Sequence, residues 1–303
     1  SKAAADLLIY EDAVRRKLHI DWDESLVAVP QFTERRVLKD YPLAELVPFI
    51  DWPPFFHTWE MRGRYPDLLH DPVRGAAAKE LLSNAQELLK EIVERKLLVA
   101  HAVYGFYPAN SDGDDIVVYA DSARTTERTR FHTLRQQKES QRGKPQYALA
   151  DFVAPRDSGL TDYIGVFAVT AGHGTDELVR RFETDHDQYN AIMAKALADR
   201  LAEAFAECLP KRARSEWGYG KEESLSYEDL IGELYRGIRP APGYPAYPDH
   251  TEKRVLFNLL GVEEATGMSL TENFAMPPAA SVSGLYFSNK EARYFAVSHV
   301  GRD

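Results

Sequence analysis

Basic charge is in short supply in this sequence. Its 37 Lys and Arg against 47 Asp and Glu leave a formal net charge of −10. Nucleic acid is a poor partner for such a chain, because phosphate contacts need a basic face. Cysteine is scarcer still. Cys208 stands alone, which excludes an internal disulfide and fits a reducing, cytoplasmic setting. No apolar run reaches the length of about 18 residues that a membrane-spanning helix needs, and no signal peptide is evident. None of the nine histidines sits in H-E-x-x-H or pairs with cysteine at metal-ligand spacing. His186, between two aspartates, is the best ligand candidate, but a surface helix start explains it as well. G-x-S-x-G is missing, and Cys208 has no motif around it. No nucleophile, acid–base pair or metal site is therefore expected, and a binding function suits the chain better than acid–base catalysis.

What is present is ordinary for a globular protein. Apolar residues make up 44% and charged residues 28% of 303 positions, enough for one large domain or two with a sizeable core. The first residue is Ser rather than Met, as in a processed chain or a piece of a longer one. Residues 4–18 read as a helix with Leu7, Leu8 and Val14 on one side, a linker or docking helix. Strand-like and irregular pieces (L-V-A-V-P) follow over 26–50, ending in a short amphipathic segment. Asp51-Trp52-Pro53-Pro54 then breaks the chain. Residues 71–98 carry the clearest helical spacing, with Asp71 as a cap and Pro72 in the first turn. Strands are expected at 99–107 and 115–120, joined by a polar loop at Gly113. The Arg- and Gln-rich stretch 124–139 reads as a helix with a solvated face.

A strand at 162–170 leads into A-G-H-G and a helix. That is the context of a dinucleotide fingerprint, but position 177 is Glu where a third glycine belongs, so a tight turn capping a helix is the better reading. A long helix spans 186–208. Its stripe is Tyr189, Ile192, Met193, Leu197, Leu201 and Phe205, and Glu203 lies off it. Ser226 and Asp229 resemble a capping box for a helix that stops at Gly237. Thr251 can cap another helix that ends at Gly261. Two strands, 280–287 and 292–299, close the chain around S-N-K-E. Helices and strands do not alternate regularly, so an α+β domain with a bent antiparallel sheet is expected.

The most informative stretch is R-P-A-P-G-Y-P-A-Y-P-D-H, residues 239–250, with four prolines and one glycine. Proline removes donors and excludes helix or central strand, so the stretch should run extended, polyproline-like and without internal hydrogen bonds. Gly243 permits close approach of a ligand. Arg239 offers a fork for a carboxylate, and Tyr244 and Tyr247 offer flat faces. The stretch reads either as a cradle for a small ligand with a carboxylate and a ring, or as a rigid connector.

Here the sequence also carries a resemblance. R-P-A-P-G-Y-P with P-D-H-T-E-K resembles the S-adenosylmethionine signature of the activation domain of cobalamin-dependent methionine synthase. The likeness spans nearly the whole chain through F-I-D-W-P-P-F-F (49–56), G-F-Y-P-A-N (105–110), L-A-D-F-V-A-P (149–155), D-Y-I-G-V-F-A-V-T (162–170), K-A-L-A-D-R-L-A-E-A-F-A-E (195–207) and A-S-V-S-G-L-Y-F-S (280–288). It implies a single C-shaped α+β domain, with a bent, mainly antiparallel sheet flanked by helices. That domain would cover 21–303, after a linker or docking helix at 1–20. It implies S-adenosylmethionine binding at Asp51, Glu203, Arg239, Ala241, Gly243, Tyr244, Tyr294 and Phe295. Arg239 would take the carboxylate, and Asp51 or Glu203 the ammonium. It implies reactivation of oxidised cobalamin held by a neighbouring module, with an electron from a flavodoxin-like donor. Zinc, folate and homocysteine sites would lie elsewhere, and the isolated chain would not make methionine. Two departures stand out. The family shows A-C-P where this chain has Ala246-Tyr247-Pro248, and related domains often continue past the position of Asp303. The rival reading is a non-catalytic interaction domain that docks a cobalamin or flavoprotein partner.

Overall fold

The computed structural model describes residues 7–220 and 224–301. Its strands are β1 (Glu34–Leu38), β2 (Val99–Asp112), β3 (Asp115–Tyr119), β4 (Glu127–His132), β5 (Asp162–His173) and β6 (Ser281–Tyr286). They form one six-stranded sheet in the order β4-β3-β2-β5-β6, with β1 beside β2, and every pairing is antiparallel. The helices are α1 (Tyr10–Arg15), α2 (Leu43–Leu46), α3 (Pro53–Thr58), α4 (Gly75–Arg95), α5 (Thr175–Thr184), α6 (Gln188–Trp217), α7 (Tyr227–Ile231), α8 (Glu252–Leu260) and α9 (Val262–Thr266). This is the expected α+β architecture. No helix among the described residues is long and apolar enough to cross a membrane.

The two central strands explain the layering. Side chains alternate across a strand. Ala102, Tyr104 and Phe106 of β2, with Phe167, Val169 and Ala171 of β5, join a core built with α4 and α6. Val103, Tyr107, Ala109, Ile164, Val166 and Ala168 face the other way, onto α8 and α9. Both faces are thus covered, which is why these strands read as continuous apolar runs rather than alternating ones.

Several expectations change in detail. The stretch 124–139 is not a helix. Thr129 and Phe131 pair with Val118 and Ile116, Phe131 is fully buried, and Arg130 bonds Asp115 at 3.0 Å. Local helix propensity loses to cross-strand pairing. The stretch is not simply solvated either: Arg124 donates to the Asp162 carbonyl at 2.6 Å. The closing strand 292–299 has no ladder; the segment is irregular and held by Val297 N–H to the Pro245 carbonyl at 2.7 Å. The first helix is only Tyr10–Arg15, because Leu7 makes an extended bridge with Lys138; positions 4–6 lie outside the described residues. The strand of the first segment is Glu34–Leu38, not L-V-A-V-P. The capping box at Ser226 and Asp229 is present, but α7 ends at Gly232. Thr251 makes no side-chain cap. The long helix runs on through Pro210 to Trp217, and Tyr189 and Ile192 stay exposed.

Asp71 takes Val73 and Arg74 N–H at 2.9 and 2.8 Å, but in the turn ahead of the helix; α4 starts only at Gly75, with Arg74 at its N-cap position and no side-chain cap. Cys208 is half-buried beside the Tyr41 hydroxyl, and burial pushes its thiol up.

Below β4, the buried Arg135 joins Asp114 at 2.7 Å and Asp151 at 2.6 Å, with a further bond to the Gln146 carbonyl. Removing it strands two carboxylates in a dry site. Arg135→Met is expected to cost about 3–5 kcal/mol of unfolding free energy. Urea denaturation of both forms measures this, and a loss below about 1 kcal/mol would contradict the assigned role.

Candidate functional site

The proline stretch packs along the free edge of β6. Leu285 N–H donates to the Pro240 carbonyl at 2.9 Å, and Phe287 N–H to the Ile238 carbonyl at 3.0 Å. Gly237 has a φ of +91° and lies so close to the Phe287 carbonyl that a side chain would collide with it. Contrary to the extended form expected, the stretch then folds back on itself. Gly243, at φ +95°, allows the reversal. Gly243 N–H bonds the Tyr247 carbonyl at 2.7 Å, and Tyr247 N–H the Tyr244 carbonyl at 2.9 Å. The residues between the prolines keep their donors, and those donors close the turn.

A cleft of about 350 Å³ opens above this turn. Its walls are Glu203 of α6; Glu233; Arg239, Pro240, Ala241, Tyr244, Pro245 and Ala246 of the proline stretch; Val282 of β6; and Tyr294 and Phe295. Tyr244 is 60% and Tyr294 48% exposed, so the rim is open to solvent. Arg239 is largely buried. Its Nη2 bonds the carboxylate of Glu207, one turn along α6 from Glu203, and its Nε lies 3.3 Å from Glu233. Its backbone N–H donates to the Tyr294 hydroxyl at 2.9 Å, which in turn donates to Glu233 at 2.7 Å. Glu203 makes no hydrogen bond or ion pair among the described residues. The arrangement offers a fixed guanidinium, an unpaired carboxylate and aromatic faces on one surface, as a zwitterionic ligand with a ring requires. A larger hollow of about 1060 Å³ beside residues 138–144 lacks this convergence, and there Arg16 bonds Glu139.

Residues 42–303 match the family described as vitamin B12 dependent methionine synthase, activation domain. The chain belongs to this family. It is also similar to a solved structure, the MetH reactivation domain bound to AdoHcy. The two are 48% identical with a TM-score of 0.94, over 97% of this chain and 90% of that one.

Within this activation domain, the cleft brings together six of the eight expected positions: Glu203, Arg239, Ala241, Tyr244, Tyr294 and Phe295. Asp51 is not among its lining residues. It follows the turn Val47–Phe49, which packs on α6 and α7. Gly243 also lies off the wall, with the His250 ring where a side chain would go. Tyr247, the departure from A-C-P, is fully buried in the core and donates to Glu252 at 2.9 Å, so it does not reshape the wall. His186 is exposed in the turn between α5 and α6.

Glu207 and Glu233 were not foreseen from the sequence. For Glu207 a signal existed: it stands four residues after Glu203, hence on the same helical face. Burial pushes its carboxyl up to about 7, and Glu233 and Glu203 add to that against the pull of Arg239. Burial works against the charge of Arg239, but Glu207, with Tyr235 and Glu233, outweighs it and holds the guanidinium cationic.

A buried carboxyl that holds its proton more tightly when folded loses stability as pH rises, here from about 4.5 to about 7. Glu207→Gln is expected to flatten that slope in urea melts. Arg239→Ala, which leaves Glu207 uncompensated, should cost about 3–5 kcal/mol above pH 7. The double variant should recover part of this loss, and strict additivity would refute the coupling.

Proposed function

We propose that the cleft binds S-adenosylmethionine and presents its methyl group for reactivation of oxidised cobalamin on a neighbouring module. The observation that carries this reading is the convergence of Arg239, Glu203 and Tyr294 on one open cleft, in a chain 48% identical to a domain solved with AdoHcy. Arg239 receives the ligand carboxylate, and Glu203, free of protein partners, receives the ammonium. Asp51 is the second candidate for the ammonium. Ala241 contributes backbone groups, Gly243 shapes the turn behind them with its N–H on the Tyr247 carbonyl, and Tyr244, Tyr294 and Phe295 give walls to the adenosyl part. The open rim leaves the sulfonium end accessible, as in-line displacement with reacting atoms within about 3–3.5 Å demands. Cobalamin, when docked, is the methyl acceptor, and a flavodoxin-like protein supplies the electron. Residues 7–20, which carry α1, serve as a linker or docking segment ahead of the binding domain that starts at 21. The setting is cytoplasmic, and zinc chemistry belongs to other modules.

Calorimetric titration of the purified chain with S-adenosylmethionine is expected to show saturable binding, with none for NAD or NADP. Arg239→Lys keeps the charge but loses the fork, and should weaken binding by about 2–4 kcal/mol. Unchanged affinity in this variant, with the fold intact by circular dichroism, would remove Arg239 from the carboxylate site. Asp51→Asn keeps shape and removes charge. If it binds as the parent does, Asp51 is a turn residue only.

A further inference from the structure

The turn that lines the cleft is held from behind by side chains that are not on the wall. Tyr247 closes it: its carbonyl takes the Gly243 N–H at 2.7 Å, and its N–H reaches back to the Tyr244 carbonyl at 2.9 Å. The wall residues Tyr244, Pro245 and Ala246 lie within that closure. The Tyr247 ring itself is fully buried in the core that includes Leu256 and Phe257 of α8. There its hydroxyl donates to Glu252 Oε2 at 2.9 Å, and the same oxygen accepts the His132 N–H at 3.1 Å. Glu252 opens α8 and His132 ends β4, so one carboxyl joins turn, helix and sheet. Glu252 is 4% exposed and makes no ion pair among the described residues. Burial pushes its carboxyl up, against the opposing pull of the bonds from Tyr247 and His132. A buried acid without a counter-ion costs stability, and an apolar side chain would fill the same space more cheaply.

We propose that Tyr247 and Glu252 are positioning residues for ligand binding: their buried hydrogen bond fixes the turn against β4, and with it the place of Tyr244 in the cleft wall. The inference rests on the adenosyl-ligand reading of the cleft. Tyr244 is 60% exposed, so packing does little to hold its ring; its backbone bond to Tyr247 sets where it stands. A wall already in place spares the ordering that binding would otherwise require. From the other side, the His250 ring occupies the space over Gly243, and Lys253 donates to it at 3.3 Å and to the Phe274 carbonyl at 2.8 Å. The turn is thus braced on both sides. The Tyr247 strut is particular to this chain, because a cysteine at this position, as in A-C-P, falls short of Glu252 by the length of a phenol ring.

Calorimetric titration of parent and variants with S-adenosylmethionine, beside urea melts of each, tests this. Tyr247→Phe keeps the ring and removes the bond, and should raise Kd about fivefold, the worth of one hydrogen bond. Glu252→Leu should raise it similarly, whereas Glu252→Gln retains an acceptor and should recover most of that loss. Tyr247→Phe combined with Glu252→Leu strands no polar group, so it should regain stability over Tyr247→Phe alone yet bind as weakly. In a Tyr244→Ala background, Tyr247→Phe should change Kd less than about twofold, because it acts through Tyr244. A merely structural role would lower stability and leave Kd untouched. Parent-like affinity in Tyr247→Phe and Glu252→Leu overturns the positioning role while the ligand assignment stands. So does affinity that returns with stability in the double variant, or full additivity with Tyr244→Ala. If Tyr247→Phe fails to fold, the contrast of Glu252→Leu with Glu252→Gln decides the same point. Absence of binding by the parent overturns both readings.

Discussion

The pairing of Arg239 with Glu207 is the contact on which the binding face depends. Each group is buried, and neither is tolerable there without the other. Glu207 is delivered by α6, and Arg239 by the chain just after Gly237. The backbone of Arg239 is tied to Tyr294, more than fifty residues further on. A single guanidinium therefore locks a helix, a proline-rich turn and the C-terminal segment into one surface. That helix is itself anchored at its end by Trp217, fully buried with its indole N–H on the Ala28 carbonyl at 3.0 Å.

The sheet supplies the rigidity behind this contact. β2 pairs with β5 over nearly its whole length on one side, and with β1 and then β3 on the other. With both faces covered, β5 and β6 have little freedom to shift, and β6 carries the proline stretch on its outer edge. The functional groups sit on loops and helix faces, but the loops are fastened to a sheet buried in the middle of the fold.

Much of this was legible in the sequence, for identifiable reasons. β5 and α4 carry strong apolar patterns with clear stops, and they fall close to where periodicity places them. Residues 127–132 misled because Arg, Thr and Glu say little about conformation until Asp115 and the β3 register are in place. The segment 292–299 read as a strand from Tyr294, Phe295 and Val297, but its partners are single groups such as Pro245 and Gln136, not a ladder. In the cleft, the motif around Arg239 was visible because proline and glycine constrain the backbone directly. Glu207 was hidden because a carboxylate inside an alanine-rich helix gives no sign of being buried until its partner arrives from another element. Tyr247 shows the converse: an aromatic ring in the motif looked like a wall of the site and proved to be core.

The attachment of the proline stretch to β6 also governs how the molecule behaves toward its own copies. A terminal strand with free N–H and C=O groups invites another chain to add to it, the route to fibrils and swapped dimers. Here the edge is capped by residues that include two prolines, Pro240 and Pro242, whose nitrogens have no hydrogen to offer. The turn at Gly243 then spends the next donors on itself. The segment that lines the cleft thereby guards the fold against aggregation at this edge. A variant that loosened it would expose a sticky strand as well as disturb the cleft.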